Sequence, residues 1–166
     1  NSGVTTSRCM GDKGFLDIEC KKAAAAGTIA GPRLLAATRG IRAPHGHGYV
    51  GYPFSGLEAV RHAVRENLSA GADLIKIYIT GTVKNSRGLP HYFSREEVQA
   101  LVDEAHNVGI PVATHCIGGP GLALGGVGDR QVSAERRAVG GHEPGQDVMI
   151  GIRPGGFENH EILVGS

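Results

Sequence analysis

Lys76 stands in the run Asp73-Leu74-Ile75-Lys76-Ile77-Tyr78, an apolar, β-branched stretch with one cation at its centre. An ammonium buried there is costly unless it is paired or neutralised. Three chemistries use such a lysine: a carbamate made with CO2 that bridges two metal ions, a Schiff-base amine, or a phosphate-binding charge. The plainer alternative is an ion pair with a nearby Asp or Glu. His115 comes 39 residues later, closing the run Val112-Ala113-Thr114-His115. Adjacent parallel strands bring their C-terminal ends together, which would set Lys76 and His115 side by side. A neutral imidazole beside a carbamylated lysine is a fitting pair for a divalent metal.

Arg42-Ala43-Pro44-His45-Gly46-His47-Gly48-Tyr49 adds a His-x-His. In an extended segment its two imidazoles would lie on one side, as in zinc sites, although the surrounding Gly and Pro suit a substrate-side loop at least as well. His62 and His106 fall on amphipathic helical runs and read as surface residues, His106 near a helix end where a cationic ring suits the dipole. Gly118-Gly119-Pro120-Gly121 could cradle an anion before a helix, but it lacks the Lys-Ser/Thr that ends a nucleotide-binding loop.

The elements that must position these residues alternate between short apolar runs and amphipathic helices. Strands are expected at 3–7, 33–37, 73–79 and 110–114, and helices at 15–26, 56–69 and from Ser94 onward. Leu57, Val60, Val64 and Leu68 make one apolar stripe, and Val98, Leu101, Val102 and Ala105 another. Ser94-Arg95-Glu96-Glu97 is a capping box, while Gly27, Gly71 and Gly109 suit helix ends. Residues 38–54 form a polar, Gly- and Pro-rich connection long enough to suggest function. This βαβα order implies a parallel sheet with right-handed crossovers. It fits about half of a barrel or a doubly wound sheet, and periodicity alone does not choose between them.

The chain has 166 residues, against roughly 250 for a complete eight-fold barrel. Net charge is +1, which leaves no footprint for nucleic acid or an anionic membrane. No apolar run reaches the ~20 residues of a membrane span. Cys9, Cys20 and Cys116 have no paired spacing, so reduced thiols and a cytoplasmic-type protein are expected. Glycine is abundant at 27 residues and concentrates toward the C-terminus. Past Leu124 the helical period stops, and in the remainder 147–152 reads as a strand. A boundary near residue 125 is therefore expected, with 1–124 a partial barrel of about four βα units and 125–166 an irregular Gly-rich tail.

Several separated blocks carry a resemblance. Gly3-Val4-Thr5-Thr6, Gly31-Pro32-Arg33-Leu34, Ala70-Gly71-Ala72-Asp73-Leu74-Ile75-Lys76-Ile77, Val102-Asp103-Glu104-Ala105-His106 and Val112-Ala113-Thr114-His115 recur in order. Residues 3–124 thus resemble the imidazolonepropionase-like and prolidase-like branch of the amidohydrolase superfamily, as an internal piece. The resemblance implies a (β/α)8 barrel and hydrolysis of amide bonds in dipeptide-like or acylated amino-acid substrates. Lys76 would be the carboxylated bridge and His115 a ligand of a divalent metal, zinc being expected, with two metals in the complete fold. The metals would acidify a water and polarise the scissile carbonyl. His45, His47 and Tyr49 would face the substrate, with Tyr78 beside them.

The sequence also departs from that pattern. The family's own His-x-His precedes the Thr-Thr strand and has no counterpart here, Arg8-Cys9 stands where Arg-Asp is usual, His142 does not match the next ligand, and the last-strand Asp has no match. Residues 147–154 resemble the accessory region of sugar-importer ATPases. Two further readings stand beside the hydrolase: a Schiff-base lyase using Lys76, and a non-catalytic half-barrel whose exposed edges drive homo-oligomerisation.

Overall fold

A computed structural model describes residues 3–81, 90–116, 120–125, 148–152 and 162–164. The described elements are β1 (Thr6–Cys9), α1 (Leu16–Ala25), β2 (Arg33–Ala36), β3 (Ile41–Arg42), β4 (Tyr52–Pro53), α2 (Leu57–Ala70), β5 (Ile75–Tyr78), α3 (Arg95–His106), β6 (Val112–His115), α4 (Pro120–Gly125), β7 (Val148–Ile152) and β8 (Ile162–Val164). The protein is α/β, with parallel strands and helices between them, and its sheet stays open as part of a barrel.

Strands β1 and β2 pair in parallel as one sheet, and β4-β3-β5-β6-β7-β8 form the other. The Asp73 side chain helps tie the two together. Asp73, just ahead of β5, accepts from the Ala36 amide at 2.8 Å and from Lys21 of α1 at 2.6 Å. Its own amide donates to the Ala36 carbonyl at 2.8 Å. The four barrel-type strands thus follow one another in space as in sequence.

The connection 38–54 reads in sequence as a long polar, Gly- and Pro-rich loop, with no strand assigned in it. It instead contains β3 and β4, and β3 pairs in parallel with both β4 and β5. Fully buried Ile41 explains why: one apolar residue flanked by donors and acceptors is enough to join an existing edge. At the other side, β7 pairs antiparallel with β6, and β8 antiparallel with β7.

Helices α2 and α3 cover one face of this sheet. Val98, Leu101, Val102 and Ala105 of α3 are buried as their spacing predicts. On α2 the buried stripe is Val60, Ala63, Val64 and Asn67, while Leu57 is exposed because it opens the helix beyond the sheet. Ser94 caps α3 by accepting from the Glu97 amide at 3.2 Å, and Glu97 accepts in return from the Ser94 amide at 2.8 Å. Glu97 also accepts from the Gly56 amide at 2.7 Å, so one carboxylate fixes the starts of both helices. Gly71, at φ 100°, ends α2 in the left-handed conformation open to glycine.

The two helices are also joined by charge. Glu104 of α3 accepts from Arg65 at 2.5 and 3.1 Å and from Arg61 at 3.2 Å. The Arg65 hydrogen bond holds the Glu104 carboxyl below the usual range. A depressed acid contributes stability that is present above its unfolded pKa and lost as pH falls through its folded value. The stability gap between the parent and Glu104→Gln should therefore be open at about pH 6 and narrow toward about pH 3. Urea unfolding at several pH values checks this, and a gap that widens in acid contradicts it.

Candidate active site at the strand ends

Side chains alternate across a strand, and β5 is covered on both faces. Ile75, Ile77 and Ile79 pack under α2 and α3 with Val60, Val98 and Leu101. Leu74 turns the other way, against Ala37 and Ala113 with Met10 and Leu35. Lys76 and Tyr78 share that second side by the same period. Lys76 is 1% exposed, and its Nζ lies 4.6 Å from the centre of the Tyr78 ring, a cation–π contact.

In the ladder, Lys76 is opposite Ala113, and Tyr78 is opposite His115. The lysine and the histidine do not share a register step. Tyr78 touches both, its ring centroid 5.7 Å from that of His115. His115 is 3% exposed, and both Tyr78 and His115 end their strands, where the mouth of a barrel lies.

The 38–54 connection delivers one histidine to this cluster. His47 sits 4.7 Å from His115 and 5.8 Å from Tyr78 between ring centroids. His45 goes elsewhere, edge-on to Tyr92 at 5.4 Å. The segment is not extended: the Gly46 amide bonds back to the Ala43 carbonyl at 2.9 Å, and this turn sends the two imidazoles to different neighbours. Tyr49 is 77% exposed. Of the expected residues, then, Lys76, Tyr78, His115 and His47 come together, while His45 and Tyr49 stand apart from them.

The Tyr78 ring fills a slot that glycine makes. A Cβ on Gly40 would meet its Cε2 at 2.7 Å, one on Gly48 its Cγ at 2.6 Å, and one on Gly11 its Oη at 2.9 Å. The phenol donates to the Met10 carbonyl at 3.3 Å, and burial pushes its pKa up. These glycines and Tyr92 escaped the sequence reading. An aromatic just ahead of a capping box was the available signal for Tyr92, but the glycines lie on three separated segments.

Elsewhere, His62 is exposed on α2 and His106 is partly buried at the end of α3. Gly118, Gly119 and His142 lie outside the described residues, as do Asp147, Arg153 and Pro154 of the ATPase-like segment. Among the described residues, no group of three or more His, Cys, Asp or Glu side chains is arranged to hold a metal ion. The donors present fit part of a metal centre, namely His115 and, once it carries a carboxylate, Lys76. No helix among the described residues is long and apolar enough to cross a membrane.

The chain is thus part of a parallel α/β barrel with a buried lysine on one strand and a histidine closing the next. The sequence of residues 1–146 matches the model of the amidohydrolase family, and the chain belongs to that family. It is 29% identical over 149 residues to an ochratoxinase of Aspergillus niger, covering 73% of this chain and 30% of that protein. Among solved structures it is similar to a candidate prolidase from Bifidobacterium longum, with 37% identity and a TM-score of 0.66 over 74% of this chain and 30% of that one. A Xaa-Pro dipeptidase with bound methionine gives 34% identity and a TM-score of 0.62 over 74% and 34% of the two chains. The chain thus spans about a third of the length of these relatives. The family is in general metal-dependent.

Gly48 gives the direct check on the Tyr78 slot. At φ +99° an alanine is strained, and its Cβ would strike the ring. Gly48→Ala should cost about 2 kcal/mol in urea unfolding. An unchanged midpoint would mean that the ring does not occupy the slot.

Proposed function

We propose that this chain supplies the Lys76–His115 part of a metal-dependent amidohydrolase site. The substrates would be small and peptide-like, dipeptides or acylated amino acids. The observation that carries this reading is the cluster of buried Lys76, Tyr78 and His115 with partly buried His47 beside them. The candidate prolidase and the Xaa-Pro dipeptidase support the substrate class by similarity.

The chain's own groups have separable tasks. The Lys76 amine, in its neutral form, can add to CO2, forming one N–C bond and releasing one proton to leave a carbamate. Lys76 in that form and His115 would hold a divalent metal, zinc in the first instance. When bound, such a metal would supply a Lewis acid for the amide carbonyl and acidify a water. His47, on the loop side, would hydrogen-bond a substrate oxygen. Tyr78 stays protonated and packs its ring against both Lys76 and His115. Residues 1–124 are proposed as the barrel part and 125–166 as a distinct tail.

One observation favours a second reading. Strand β1 pairs with β2 alone, leaving its other edge open among the described residues. An open edge invites pairing with another chain, so a non-catalytic half-barrel that self-associates is the competing proposal.

Elemental analysis of the purified protein, with hydrolysis of Xaa-Pro dipeptides assayed in parallel, separates these readings. The expected result is about one zinc per chain, lost in both Lys76→Ala and His115→Ala. No metal and no hydrolysis, with a defined oligomer by light scattering, would support the scaffold instead. An adduct trapped at Lys76 by borohydride would assign a Schiff-base lyase.

A further inference from the structure

Two residues other than glycine have positive φ among the described residues, Phe15 at 60° and Thr38 at 58°. They meet at one junction, where α1 begins and the 39–54 connection leaves β2. A β-branched residue in this region is an outlier, and such strain persists only where its surroundings over-determine it.

The surroundings do so here. The Thr38 amide donates to Asp17 Oδ2 at 2.8 Å, and the Thr38 carbonyl accepts from the Asp12 amide at 2.7 Å. Asp12 Oδ2 in turn accepts from the Asp17 amide at 2.7 Å. Both backbone groups of the strained residue are therefore held by two linked aspartates. The next residue is fixed as firmly: the Arg39 guanidinium lies between the rings of Phe15, at 4.3 Å, and Tyr52, at 4.7 Å. Its carbonyl accepts from Asn67 of α2 at 2.8 Å.

We propose that Asp17 is a positioning residue whose carboxylate grips the left-handed Thr38 backbone and so sets the course of residues 39–54. That course carries Gly40 and Gly48 to the Tyr78 ring and His47 to His115. Asp17 lies in the first turn of α1, where an acid suits the helix dipole, and on the inner side beside Ile18 it is 5% exposed. Burial pushes its carboxyl up, the Thr38 amide opposes that rise, and Asp12 adds to it. A carboxyl kept at such a cost in desolvation has its use in the backbone it holds, the Thr38 amide first. The inference rests on the proposed active site only for the purpose it gives His47, so its test reads the loop and not turnover.

The experiment is hydrogen–deuterium exchange on the full chain, with the His47 ring followed by NMR. Asp17→Ala should speed exchange of amides in 40–54 about tenfold or more and move the His47 signal. Residues 57–70 and 95–106 should exchange as before, and Asp17→Asn, which keeps an acceptor for the Thr38 amide, should restore most of the protection. Thr38→Gly supplies the second arm, because glycine takes this φ without strain. In that background Asp17→Ala should loosen the loop much less, which also gives a folded protein should the single variant not fold. Unchanged loop exchange in Asp17→Ala would overturn the proposal. So would a uniform rise over the whole chain, or an equal effect with glycine at 38.

Discussion

Strand β5 is buried on both faces, and the period of two sorts its residues into two environments. Its isoleucines are covered by α2 and α3, while Lys76 and Tyr78 face the other way. A lysine in this strand cannot reach water without unpairing it, so its ammonium must be met from within the protein or change its chemical form. The aromatic ring of Tyr78 lies against this position, and the glycine slot and the loop that brings His47 close around that ring.

The frame that holds β5 is correspondingly specific. Asp73 ties its beginning to β2 and to α1, and register with β6 places Tyr78 opposite His115. The interior side is lined by small residues, Ala37 and Ala113, which leave room for the longer side chains beside them. Beyond β6, the antiparallel strands β7 and β8 take the edge where a parallel βα unit would continue the pattern. The sheet therefore ends differently from the way it is built.

Much of this was legible in the residues. The capping box at Ser94 and the stripe of α3 were read correctly because both depend on near neighbours along the chain. Lys76 stood out because a lone cation in a β-branched run contradicts its surroundings. What escaped depends on contacts distant in sequence. Two-residue strands such as β3 and β4 fall below any periodic signal, and nothing local announces that Ile41 will be buried. Register is likewise a property of two strands, so Tyr78 as the partner of His115 could not be read from either one. The divergence of His45 and His47 comes from a turn at Ala43–Gly46, and the sequence leaves open whether this His-x-His lies on an extended segment or in a substrate-side loop.

The central claim is that Lys76 is a buried amine able to exist as a carbamate. Carbon NMR of the protein equilibrated with isotope-labelled bicarbonate reads this directly. The account predicts a carbamate resonance in the parent protein that is lost in Lys76→Met, whose side chain of similar length keeps the strand filled. No such resonance, or one that persists in Lys76→Met, would contradict it.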